Sequence, residues 1–216
     1  VERKNVRALV CPDCGNGLAG LRCDKIFFCN SCRQGLEPDE GDDWIRHPLS
    51  FAALEKTPSA EIIYLPFWQI RIEADAVCVN KQQEVASRRL SELHSVWVTG
   101  FILNRVSYFG DLGLTYTEKG VSLAAAENFP PGGIVAGCSR TVEDALKYTR
   151  LYVTLILDKR ADVTGMDINI VTRDARLWAV PFADYKDKVM DLVTLSELPS
   201  FALDDLEDLR KLKHQK

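Results

Sequence analysis

Apolar and polar positions alternate with period two over much of this chain. The clearest case is "EIIYLPFWQIRIEADAVCVN" (61–80), where Ile70, Ile72 and Ala74 alternate with Arg71, Glu73 and Asp75. That pattern predicts a strand with one wet face. Pro66 within it has no N–H to give a ladder, so it marks a strand end, an edge or a bulge. Residues 95–109, "SVWVTGFILNRVSYF", are rich in β-branched and aromatic side chains and favour strand. "DINIVT" (167–172), "ARLWAVPF" (175–182) and "KVMDLVTL" (188–195) read as three consecutive strands.

The period changes at Thr141. Val142, Ala145, Leu146, Thr149, Val153 and Ile156 recur at helical spacing, and Thr141 with Asp144 makes a capping-box-like pair. Residues 141–158 are therefore expected to be the main helix. Its end, "LYVTLIL" (151–157), is so apolar that it must be deeply buried or else be a strand. The weak pattern over 82–93 fits either a helix or a polar loop, and "HPLSFAALEK" (47–56) fits a short helix capped by Ser50. At the C-terminus Leu203, Leu206, Leu209 and Leu212 recur every three residues, between an acidic start and a basic end. A short amphipathic helix of this kind is marginal alone in water. It must pack on its own domain or, through 203–214, on a second copy or a partner.

One stretch follows neither period. Residues 11–32 hold five cysteines, and four of them form two C-x-x-C pairs, Cys11 with Cys14 and Cys29 with Cys32, fourteen residues apart. A C-x-x-C turn brings two sulfurs to one ion, and two such knuckles complete a tetrahedron of soft ligands. Short apolar runs, "RALV" (7–10) and "KIFF" (25–28), lead into each knuckle and read as strands. Gly15 follows the first knuckle, where a left-handed residue is often wanted, whereas Arg33 follows the second.

Over roughly residues 7–37 this arrangement resembles the zinc ribbon family. The resemblance implies Cys11, Cys14, Cys29 and Cys32 as ligands of one structural Zn²⁺ per chain, in a rubredoxin-like module. It implies little about function. An iron site with electron transfer remains a rival, although its pairs usually lie further apart. A thioredoxin-like redox pair needs a βαβ context that is missing here. Cys23 reads as a spare hairpin cysteine rather than a replacement ligand. "YLPFW" (64–68) and "AVPFA" (179–183) share apolar-Pro-Phe at a separation of 115 residues, consistent with duplication or with chance. Together with the ribbon, these motifs resemble uncharacterised bacterial zinc-ribbon proteins, which implies no activity.

Composition narrows the function classes. The 216 residues are 46% hydrophobic and 27% charged, with a formal net charge of −4. Residues 1–50 hold seven Lys/Arg against eight Asp/Glu, which is no footprint for a phosphate backbone. Arg88–Arg89 and the tail "RKLKHQK" are local exceptions. No apolar run is long enough for a membrane span. Seven cysteines, an odd number, with no apolar leader at the start favour a reducing compartment, so the cytoplasm is expected.

Candidate catalytic groups are sparse. "GGIVAGCS" (132–139) has P-loop-like glycine spacing, but Cys138 occupies the lysine position, and the stretch reads as a turn leading into the helix. Cys138 before a helix invites a reactive-thiol reading, yet His47, His94 and His214 belong to no nucleophile motif. Cys78 reads as a core thiol. The expectation is an α+β protein: a zinc ribbon over 1–42, then an antiparallel-sheet domain over 43–216 with one principal helix and a C-terminal amphipathic helix. It is expected to be a non-catalytic, zinc-stabilised binding or adaptor protein with an unidentified protein partner. The alternatives are a nucleic-acid-associated ribbon protein and an enzyme with a pocket in the α+β domain.

Overall fold

The computed structural model describes residues 8–21, 23–39, 41, 43–54, 58–103, 111–127, 134–203 and 206–213. At its centre two long strands, β4 (Glu61–Val77) and β7 (Asp167–Asp184), pair antiparallel from Glu61↔Asp184 to Val77↔Asp167. The two strands expected at 167–172 and 175–182 are one. Arg71 opposes Asp174 while Ile72 opposes Thr172, so Arg173 is an extra residue bulged out of β7. That bulge breaks the period-two pattern without ending the strand.

The sheet continues on both sides of this pair. Its order is β1 (Phe27–Cys29), β2 (Gln34–Pro38), β3 (Trp44–Phe51), β7, β4, β5 (Ser95–Thr99). Three more strands lie off that path: β6 (Ile134–Val135) pairs with β4, β8 (Lys188–Asp191) with β7, and β9 (Glu197–Pro199) with β8. The short helix expected at 47–56 is replaced by β3, which runs parallel to β7 at Leu49↔Leu177 through Phe51↔Ala179. Ser50 is a strand residue opposite Trp178, not a cap.

The prolines explain how a strand can change partners. Beside β4, β6 pairs in parallel with Ile63 and Tyr64, and β5 pairs antiparallel with Phe67 through Arg71. Pro66 lies between the two, where no donor is required. The same arrangement recurs around β7. There β3 is the parallel partner up to Ala179, β8 is the antiparallel partner from Phe182, and Pro181 lies between. The flanking bonds also match. Ala136 N donates to Tyr64 O (2.9 Å) as Ala52 N does to Ala179 O (3.0 Å). Gly100 N donates to Pro66 O (2.7 Å) as Leu192 N does to Pro181 O (3.1 Å). The two apolar-Pro-Phe motifs are thus equivalent about a local two-fold centred on the Leu65↔Val180 pair. Phe67 and Phe182 stack across it at 6.3 Å.

Each sheet face carries a core. On one face Trp68, Ile70, Val96 and Val98 pack with Ala86 and Leu90 of α1 (Glu84–Ser91) and Val153 and Ile156 of α3 (Val142–Asp158). The capping box at Thr141 and Asp144 is formed on both sides. The apolar stretch 151–157 is helical. Tyr152, Val153, Ile156 and Leu157 are buried, while Leu151 and Leu155 face solvent. On the other face Phe67, Trp97, Trp178 and Phe182 pack with Leu112 and Tyr116 of α2 (Leu112–Glu118) and with α4 (Leu206–Lys213). The sequence pattern does not announce α2. It is short, and its start is set by Asp111, whose carboxylate accepts from Leu114 N at 3.1 Å. The amphipathic C-terminal segment docks on its own chain, with Leu203, Leu206 and Leu209 buried. Among the described residues no helix is long and apolar enough to cross a membrane. Residues 104–109 of the strand expected at 95–109, Gly132 and His214 lie outside the described residues.

Candidate metal centre

Two local turns build the cysteine site. In the first, Gly15 N donates to Cys11 O (2.9 Å); in the second, Arg33 N donates to Cys29 O (2.8 Å). The residue after each knuckle takes the left-handed conformation, Gly15 at φ 75° and Arg33 at φ 57°. The departure at Arg33 therefore changes the residue and not the geometry. Cys32 N points at Cys29 Sγ (3.4 Å), as expected when a knuckle folds around its own sulfur.

The four Sγ atoms of Cys11, Cys14, Cys29 and Cys32 all lie within 4.8 Å of one another. Cys11 Sγ is 3.8 Å from Cys32 Sγ, and Cys14 Sγ is 3.5 Å from Cys29 Sγ. Donors at the corners of a tetrahedron with Zn–S arms of about 2.3 Å stand roughly 3.8 Å apart. The spacing and the all-sulfur donor set fit a soft, tetrahedral metal ion. Cys11 and Cys29 are buried, Cys32 is half-buried and Cys14 is exposed. The site is thus near the surface with its inner half sealed by Leu18, Leu36 and the ring of Phe27.

The thiols have unlike electrostatics. The Asn16 backbone N–H lowers the Cys14 thiol to about 7, against a smaller opposing effect of burial. Burial raises the Cys29 thiol, and the Cys14 sulfur beside it pushes Cys32 up strongly. Four thiols this close do not all ionise on their own. A divalent cation among them reverses that balance and holds them as thiolates.

Polar contacts around the knuckles fix their relative position. Asn16 Nδ2 donates to Ser31 Oγ (2.7 Å), joining one knuckle to the other. Asp13 is gripped by Arg46 (2.8 Å) from β3 and by Gln34 from β2. These neighbours, Arg46 foremost, lower the Asp13 carboxyl from its ordinary value. Sequence spacing gives no hint of the Asp13–Arg46 contact, which spans 33 positions.

The remaining thiols stay outside the cluster. Cys23 is exposed and Cys78 half-buried. Cys138 is fully buried, its Sγ donates to Arg140 O (3.0 Å), and burial pushes it up to about 12. His47 is bonded to Glu37 (2.8 Å) and packs edge-on against Trp68. In the glycine-rich stretch Gly137 lies against the Asp24 carboxylate, and a Cβ there would collide with it. An acidic group in that place repels a phosphate instead of cradling it. Comparison with known proteins returns no matching family model, no matching curated protein and no matching solved structure.

Proposed function

We propose that this chain is a non-catalytic, cytoplasmic binding or adaptor protein whose ribbon is held by one structural zinc ion. The convergence of four cysteine sulfurs is the observation that carries this reading. A set of four protein ligands fills a tetrahedral ion, leaving no position for a water to activate. When bound, the ion supplies folding energy to a module too small to hold itself. The chain's own residues do the rest: the Asn16 N–H favours one thiolate, and the Asp13–Arg46 pair anchors a knuckle to β3.

The two alternatives receive less support. A ribbon that grips nucleic acid needs free cations on its own surface, but there Lys25 pairs with Asp144 (2.7 Å) and Arg46 with Asp13. An enzyme built on Cys138 needs an accessible, ionisable thiol, and burial denies both. A protein partner is therefore the preferred class of target.

Substituting Co²⁺ for the native metal tests the closed site. The expected spectrum is that of a tetrahedral tetrathiolate, unchanged by added azide. A spectral shift on azide addition demonstrates an open coordination position and refutes the structural role.

A further inference from the structure

Arg71 sits where β4 loses β5 as its neighbour and where the β7 bulge shifts the register. Bulges recur beside binding sites because they re-aim a side chain. The Arg71 guanidinium is exposed and has no hydrogen-bond or ion-pair partner among the described residues. Around it opens a pocket of about 300 Å³ lined by Gln69, Arg71, Arg89, His94, Ser95 and Ser122, at the lower end of small-molecule sites.

The pocket wall is organised for donation. Trp178 Nε1 donates to Gln69 Oε1 (3.0 Å), which commits the amide oxygen and leaves the NH₂ of Gln69 for a ligand. Arg89 from α1 is fixed in place, with Nη1 on Glu92 (2.9 Å) and Nη2 on Glu118 O (2.7 Å). Its buried Nε has no partner among the described residues. The hydroxyls of Ser95 and Ser122 and the ring of His94 complete the rim. Glu92 is the one acidic group in the lining, and Arg89 neutralises it. Asp174, across the ladder from Arg71, is near Arg176 (3.9 Å). Arg88 and Arg160 line an adjoining pocket that shares Arg89 and Glu92, so positive charge continues beyond the rim.

We infer that this pocket binds a small phosphorylated ligand through Arg71, Gln69, Ser95 and Ser122. Donors approach from β4, from the start of β5 and from the loop after α2. A phosphoryl group has three free oxygens pointing in different directions and takes donors from several sides. A planar carboxylate offers only two oxygens in one plane, and one guanidinium fork can engage both. The site is separate from the cysteine centre and does not depend on which metal occupies it.

Calorimetric titration of the intact, metal-loaded protein with inorganic phosphate at low salt tests the inference. One saturable site is expected, with acetate binding about tenfold more weakly and Arg71→Gln weakening phosphate by about tenfold. Ser122→Ala, at an exposed loop position, is expected to weaken it by a smaller factor. Arg150→Gln, an exposed helix position outside the pocket lining, is expected to bind as the parent does. Trp178 fluorescence, read through its bond to Gln69, is expected to change with the same saturation. No saturable phosphate binding, equal affinity for acetate, or undiminished binding by Arg71→Gln overturns the inference. Equal losses in Arg71→Gln and Arg150→Gln also overturn it, since they show only diffuse charge attraction.

Discussion

Arg33 holds a left-handed backbone at φ 57°, where its Cβ crowds the following carbonyl. Gly15 fills the same place in the first knuckle without that strain. Arg33→Gly is therefore expected to stabilise the ribbon by about 0.5–1 kcal/mol, strain relief outweighing the added freedom of the unfolded chain. Thermal melting of the metal-loaded protein measures it, and a lowered midpoint contradicts the account. Gly100 is the opposite case. A Cβ there would stand 2.5 Å from Cys138 Sγ and 3.0 Å from Pro66 O. Gly100→Ala is expected to cost about 2 kcal/mol through overpacking, measurable by urea denaturation. Unchanged stability would mean that the close approach is not required. At this scale the four cysteines were legible because C-x-x-C spacing is itself geometry. The Asp13–Arg46 and Trp178–Gln69 contacts were not, because they join residues that only the sheet brings together.

At the scale of elements, strand and helix periods located β4 and α3, the Thr141–Asp144 pair located the start of α3, and the stretch 82–93, open to helix or polar loop, holds α1. Periodicity failed where tertiary pairing decides. β3 carries an apolar run with a serine where a helix cap would stand, and parallel pairing with β7 makes it a strand. Pro48, like Pro66 and Pro181, stands where a strand changes partner, from β2 at Pro48 to β7 at Leu49. The leucine stripe of α4 could not say what it packs against. Arg210 answers that. It donates to both oxygens of the buried Asp184 carboxylate, at 2.8 and 2.6 Å, and to Lys186 O at 2.8 Å. Arg210→Ala is expected to cost about 2 kcal/mol, the scale of charge-assisted bonds to a buried acceptor. The same Arg210 guanidinium holds Asp184 below its usual range, with burial opposing it. A depressed folded value means that this stability is present above the ordinary Asp value of about 3.9 and is lost as pH falls through the folded value. α4 is thus expected to loosen below about pH 4, and hydrogen exchange over 206–213 should rise there. Exchange in α4 that is indifferent to acid, or unchanged in Arg210→Ala, contradicts this docking.

Across the whole molecule, the ribbon is joined to the sheet domain at several places. β3 pairs with β2 at one end and with β7 at the other. Ile26 and Phe28 are buried in the same core as Trp68 and Val153, while the adjacent Cys29 belongs to the cysteine cluster. Lys25 N and Ile26 N both donate to Cys138 O, and Cys138 N donates to Ile26 O (2.9 Å). The acidic stretch 36–44 is strand at both ends: β2 runs to Pro38, β3 starts at Trp44, and the two pair at Pro38↔Trp44. Order in the cysteine centre is thereby tied to order in the main core. Chelation is expected to lower the melting temperature of the entire chain rather than unfold the ribbon alone. The most direct test of the central claim is elemental analysis of the parent protein beside Cys29→Ser, both prepared without chelator. The account predicts one zinc per chain in the parent, and loss of that zinc in the variant. No metal in the parent, iron in place of zinc, or full zinc retention in Cys29→Ser would contradict it.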